Sequence, residues 1–169
     1  VSELALENAK REDRILRVCW ETNGYMNAKL AEKAAELSLR SGGVVKFDLK
    51  TFHPRLNIAL CGRSNEQAKA NFELAARWTK KRKDPPLVVA STLLVPGYVE
   101  REEVYELARF IAAIDPEIPY TLLGFYPHFY FQDLPCTSRR HGQECREAAL
   151  EAGLKRVRIG NIHLLGKDY

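Results

Sequence analysis

One pattern limits the folds open to this chain more than any other. Short apolar segments alternate with amphipathic ones from end to end. Apolar residues at helical spacing run over residues 2–14, where Ser2 stands in the capping position. They recur over residues 27–43, opened by Asn27 and closed by glycine, and over residues 64–83, with Ser64 placed to cap. Two more follow, at residues 100–114 with acids in the first turn, and at residues 137–153 between a Ser/Thr cap and Gly153. Between them lie five short segments with strand character: residues 14–21, 44–50, 85–97, 119–127 and 155–161. No Asn-Gly hairpin joins neighbouring strands, because Asn23-Gly24 leads into a helix. Five strands separated by helices predict an α/β fold with a parallel sheet and right-handed crossovers.

A length of 169 residues predicts one domain over residues 1–169, with enough chain for a sizeable core. A net charge of +4 is too mild to argue for nucleic acid as a partner. The one dense basic run, Lys80-Lys81-Arg82-Lys83, reads as a solvated helix end. Neither a signal peptide nor a membrane-spanning run is visible, so a cytoplasmic location and no membrane partner are expected. Cys19, Cys61, Cys136 and Cys145 are widely spaced and predict free thiols rather than a zinc or dithiol site. The chain opens on Val inside a predicted helix, which reads as a piece of a longer protein.

In parallel α/β folds, sites form at the carboxyl ends of strands. Here those ends read Glu21-Thr22-Asn23-Gly24, Asp48-Leu49-Lys50, Val95-Pro96-Gly97, Phe125-Tyr126-Pro127 and Gly160-Asn161. The second is the most informative. In "VVKFDLK", strand alternation puts Val45, Phe47 and Leu49 on one face and Lys46, Asp48 and Lys50 on the other. The apolar face suits covering helices. The charged face must satisfy itself or receive a charged ligand, since burying unpaired charge is costly. Both readings stay open. Upstream, Cys19, Glu21 and Asn23 share one face. Acids, an amide and an ammonium together suit a zwitterion: a carboxylate beside Lys50, and an ammonium beside Glu21 or Asp48.

The segments "ETNGYMN", "KFDLKTFHPRLNIALCGRSN", "STLLVPGYVEREEVYELARFI", "IPYTLLGFYPHFYFQDLP" and "GLKRVRIGN" resemble, in this order, the radical S-adenosylmethionine enzymes. Within that family they are most similar to the glycyl-radical-enzyme activases, of the pyruvate formate-lyase activating type. The resemblance covers nearly the whole chain and is to the family's C-terminal half. It implies half of a partial (βα)6 TIM-like barrel with about five parallel strands. It also implies an intact enzyme that cleaves S-adenosylmethionine at a [4Fe-4S] cluster to give a 5′-deoxyadenosyl radical. The cluster-binding Cys-x3-Cys-x2-Cys and the glycine-rich motif of the family do not occur in these residues, so no cluster and no activity are expected of this chain alone.

By the resemblance, Glu21 stands near the methionine ammonium, and Asn23 shares that cofactor-binding loop. Asp48 and Lys50 are the Asp-x-Lys pair, with the lysine toward the methionine carboxylate. Ser91 and Leu93 lie near ribose and adenine. Tyr126 is close to a position where relatives carry His, beside the nucleoside. A protein substrate, such as a glycyl radical enzyme, is implied. An exposed sheet edge at residues 14–21 predicts self-association unless the first helix covers it. Other readings are a barrel lyase or aldolase using Lys50 as Schiff-base nucleophile, and a non-enzymatic anion-binding module. The aromatic run Phe125–Phe131 serves either as packing or as the lining of a substrate channel. Arg156 and Arg158 fit either an anion site or a surface edge strand, and the four histidines lack metal spacing.

Overall fold

The computed structural model describes residues 1–167. Five strands alternate with helices: β1 (Trp20–Thr22), β2 (Val45–Asp48), β3 (Val88–Leu94), β4 (Tyr120–Gly124) and β5 (Val157–Gly160). All the strand pairings described are parallel, and the strand order is β1-β2-β3-β4-β5. The helices are α1 (Ser2–Arg11), α2 (Ala28–Ser41), α3 (Pro54–Cys61), α4 (Glu66–Ala76), α5 (Arg101–Ile114) and α6 (Arg139–Glu151). None of them is long and apolar enough to cross a membrane.

The chain divides into two compact units whose segments interleave. The first comprises Val1–Asp48 and Gln67–Val89; the second comprises Leu49–Glu66 and the chain from Ala90 onward.

In the first unit, β1 pairs with β2, setting Glu21 opposite Lys46. Asn27 caps α2 by accepting from Leu30 N at 2.9 Å, and Gly42 ends it in the left-handed region at φ 75°. Val45 and Phe47 are buried, and the Phe47 ring meets Phe72 of α4 edge-on at 5.3 Å. That contact identifies the helix-covered face of β2. Lys46 and Asp48 lie on the opposite face, half-buried. A side chain at Gly43 would put its Cβ 1.9 Å from the Val18 carbonyl oxygen, so only glycine lets these backbones approach.

Several boundaries differ from expectation. Ser2 does not cap α1, which starts from Val1 without a side-chain cap bond and stops at Arg11. β1 is three residues long rather than eight, because the stretch before Trp20 is mostly exposed and pairs little. The helix expected over residues 64–83 ends at Ala76, and a 3₁₀ turn, Thr79–Lys81, follows. The break lets Arg82 fold back. Its guanidinium donates to Ser38 O at 3.1 Å, to Leu39 O at 3.4 Å and to Gly43 O, while Nε reaches Pro85 O at 2.9 Å. Arg82 is therefore the carboxyl-terminal cap of α2, not part of a solvated run. Lys81 sits 4.0 Å above the Trp78 ring.

In the second unit, β3, β4 and β5 pair in register, with Ser91 opposite Thr121 and Leu93 opposite Leu123. Helices α5 and α6 pack together, and Leu107, Ala108 and Ile111 of the one and Cys145, Ala148 and Ala149 of the other are sealed from solvent. Ser138 caps α6, accepting from His141 N at 3.0 Å. Helix α3 was not expected; Pro54 opens it and Gly62, at φ 72°, closes it.

Candidate functional site

The loop after β1 is held by its own polar side chains and by α4, all within the first unit. Thr22 Oγ1 accepts from Gly24 N at 3.0 Å, and Asn23 Oδ1 accepts from Tyr25 N at 3.1 Å. These are the short-range turns that Thr and Asn form with their own backbone. Gly24 takes φ 81°, and a Cβ there would meet Ala68 at 2.9 Å. From α4, Asn71 Nδ2 donates to Gly24 O at 2.8 Å and to Met26 O at 2.6 Å. Gln67 adds bonds to Tyr25 O at 3.2 Å and Met26 O at 2.9 Å. Glu21 and Asn23 are thus presented outward from a pinned loop, both exposed.

Across the pair, Lys46 Nζ lies 3.2 Å from Glu21 Oε2 and 3.7 Å from Asp48 Oδ1. The internal-pairing reading of the charged face is the one this geometry displays. Lys46 bridges both acids, and it was not among the residues expected at the site.

In the second unit, Leu49 N donates to Ser91 O at 2.9 Å, and Thr92 Oγ1 donates to Leu49 O at 2.6 Å. Lys50 follows, half-buried. Burial pushes the nearby Cys61 thiol up, and the Lys50 ammonium opposes part of that shift. Ser91 is sealed at 1% exposure and Leu93 is half-buried; alternation puts both on one face of β3. Thr121 occupies the same face of β4, and Arg158 Nε donates to its Oγ1 at 2.9 Å. Tyr126 stands in the loop after β4, 61% exposed.

The loop from Thr51 to His53 is fixed from several sides. Asn65 Nδ2 donates to Thr51 O at 2.7 Å and Phe52 O at 2.8 Å. Thr51 Oγ1 donates within reach of Asn57 Oδ1 at 3.1 Å, and Asn57 Nδ2 donates to Arg63 O at 2.7 Å. Glu103, in the first turn of α5, accepts from Phe52 N at 2.6 Å and His53 N at 3.3 Å, and its other oxygen meets His53 Nδ1. The turn after β3 is held similarly. Glu100 accepts from Gly97 N at 2.6 Å, and buried His141 brings Nε2 to 3.0 Å from Val99 O and 3.2 Å from Glu100 Oε2. Thr137 Oγ1 donates to Leu94 O and accepts from Phe125 N, both at 2.7 Å. Apart from the acids and the cap that open two helices, nothing local in the sequence marks Asn65, Asn71, Glu103, Thr137 or His141 as the residues that position these loops.

The residues present do not fit an iron–sulfur cluster. Its ligands must be thiolates brought close together. Cys19 and Cys61 are exposed, Cys136 is half-buried and Cys145 is sealed, each on a different segment. Among the described residues no three His, Cys, Asp or Glu side chains converge to hold a metal.

No protein-family model matches this chain, and no curated protein does. Among solved structures, it is similar to a domain of pyruvate-formate lyase-activating enzyme from Bacteroides vulgatus ATCC 8482. The likeness has a TM-score of 0.68 at 18% identity and covers 95% of this chain and 91% of that one. The structural neighbour and the resemblance read from the motifs agree, and the fold of this chain is the α/β fold of that activating-enzyme domain.

Proposed function

We propose that this chain is the C-terminal half of a radical S-adenosylmethionine enzyme and forms part of its S-adenosylmethionine pocket. The observation that carries this reading is the likeness to the activating-enzyme domain over 95% of the chain. The ordered motifs at the strand ends support it. Glu21 receives the methionine ammonium, and Asn23 belongs to the same loop. Lys50 meets the methionine carboxylate, with Asp48 beside it in the Asp-x-Lys motif. Ser91 and Leu93 lie near the ribose and adenine, and Tyr126 lies close to the nucleoside. The ligand ammonium takes the position of the Lys46 ammonium against Glu21, so this chain's own residues bind and orient the ligand by exchange of one cation for another. In the intact enzyme, cluster chemistry would be supplied by ligands other than these four cysteines. Pyruvate formate-lyase is the protein named for the neighbour, and a protein substrate is the corresponding partner for this chain.

Titration of S-adenosylmethionine into the chain by calorimetry tests the reading. Weak saturable binding is expected, and Lys50→Ala is expected to cost about 1.5–3 kcal/mol, the scale of a charge-assisted hydrogen bond. Equal affinity for both proteins removes Lys50 from the pocket.

A further inference from the structure

We propose that His53 and Glu103 form a proton-accepting dyad, with His53 Nε2 as the base toward a ligand that presents an acidic O–H or N–H. The dyad lies within the second unit and does not rest on the S-adenosylmethionine reading.

Glu103 is 8% exposed. Its Oε2 accepts two backbone amides, Phe52 N at 2.6 Å and His53 N at 3.3 Å. Those bonds fix the plane of the carboxylate, and Oε1 then meets His53 Nδ1. A carboxylate offers only lone pairs, so Nδ1 carries the hydrogen and Nε2 keeps its lone pair. The two side chains differ sharply in exposure, 60% for His53 against 11% for Glu103. The far edge of the imidazole therefore opens to solvent while its orienting partner is enclosed.

A purely structural clamp needs only the two amide bonds. The imidazole adds little burial, since most of it stays in water, yet its ring is aligned on the carboxylate and set edge-on to Phe52 at 5.4 Å. The loop beneath it is pinned by Asn65 and by the bond from Thr51 Oγ1 to Asn57 Oδ1, so the base needs little reorganisation to act. The step is one proton transfer. A ligand O–H or N–H bond breaks, its proton passes to Nε2, and the ligand keeps the electron pair. The imidazolium is held by the Glu103 carboxylate across the Nδ1 hydrogen bond. His53 touches the ligand; Glu103 is a positioning residue.

Nitrogen-resolved NMR of the histidine rings in the whole chain tests the assignment. At alkaline pH, His53 is expected as the Nδ1–H tautomer, the reverse of the form free imidazole favours. Diethyl pyrocarbonate then serves as the probe of the Nε2 lone pair, read site by site by peptide mass spectrometry. His53 is expected to react several-fold faster than the exposed rings of His128 and His163, and Glu103→Gln is expected to remove that advantage. An Nε2–H tautomer, a His53 rate equal to the two reference rings, or a rate untouched by Glu103→Gln each overturns the dyad. If Glu103→Gln does not fold, the tautomer and relative rate in the unaltered chain decide.

Discussion

Lys46 Nζ stands 3.2 Å from Oε2 of Glu21, its register partner on the neighbouring strand. The same ammonium reaches Asp48 at 3.7 Å. Glu21 is 76% exposed at its side chain, so the pair contributes at most about 1 kcal/mol. Lys46→Met is expected to lower stability in urea by no more than that. On the proposed function, in which the ligand ammonium meets Glu21, S-adenosylmethionine is expected to bind this variant more tightly, because Lys46 no longer competes for that carboxylate. Weaker binding in this variant makes Lys46 itself a contact of the ligand.

Arg82 is expected to matter far more than its basic neighbours. It donates to the carbonyls of Ser38, Leu39, Gly43 and Pro85. Arg82→Ala strands several of these acceptors, some of them partly buried, at a cost of about 2–3 kcal/mol. Lys80→Ala, on an exposed side chain, is expected to stay within about 0.5 kcal/mol. Chemical denaturation of the two variants side by side reads the difference; equal midpoints would remove the capping role.

Asn71 holds two carbonyls of the loop that carries Asn23, at Gly24 and Met26. Asn71→Ala is expected to cost about 1–3 kcal/mol, the penalty of leaving buried acceptors unmet. Hydrogen exchange checks the mechanism. The amides of Gly24 and Tyr25 should lose protection while those of β2 keep theirs. Uniform loss across the first unit would point to general destabilisation instead.

Cys145 links stability to alkaline pH. Burial, then the charges of Glu100, Glu144 and Glu102, push its thiol up from 9.0 to about 12. Below pH 9 the thiol is protonated in both folded and unfolded chains, and its contribution is complete. Above that value the unfolded chain loses the proton first. Stability then falls by about 1.4 kcal/mol per pH unit until the folded thiol titrates as well. Tyr120, also pushed up mainly by burial, adds to the decline above its own ordinary value. Cys145→Ala should flatten the slope between pH 9 and 12, measured by urea midpoints; an unchanged slope excludes Cys145 as its source.

The alternation in "VVKFDLK" was legible because a strand has a period of two and a helix covers one of its faces. Val45, Phe47 and Leu49 are buried, while Lys46, Asp48 and Lys50 are half-buried. The Asn27 cap was legible because it is a local hydrogen bond. Helix α3 was missed although Pro54 and Gly62 bracket it, because eight residues carry too few apolar positions to display a period. The overlong helix after Ser64 had a different cause. Its end is set by Arg82 reaching α2, and no local spacing reveals a partner 39 to 44 residues away. The same limit hid Asn71, which pins a loop 47 residues upstream, and Glu103, 50 residues beyond His53. Residues that offer chemistry stand out by type. Residues that hold them in place are ordinary amides and acids, and only the folded chain identifies them.

The interleaving of the two units bears on how the chain is made. Segment 49–66 leaves the ribosome before the rest of its own unit exists, and residues 67–89, which belong to the other unit, emerge next. The amides of Phe52 and His53 must wait for Glu103, some 50 residues later in the chain. At translation speeds of about 5–20 residues per second, that interval is roughly 3–10 seconds. During it, Pro54–Cys61 is a short helix without its long-range anchor, too brief to persist alone. Until Glu103 is made, the loop bearing His53 has only the bonds of its own segment, such as those from Asn65 to Thr51 O and Phe52 O, to hold it.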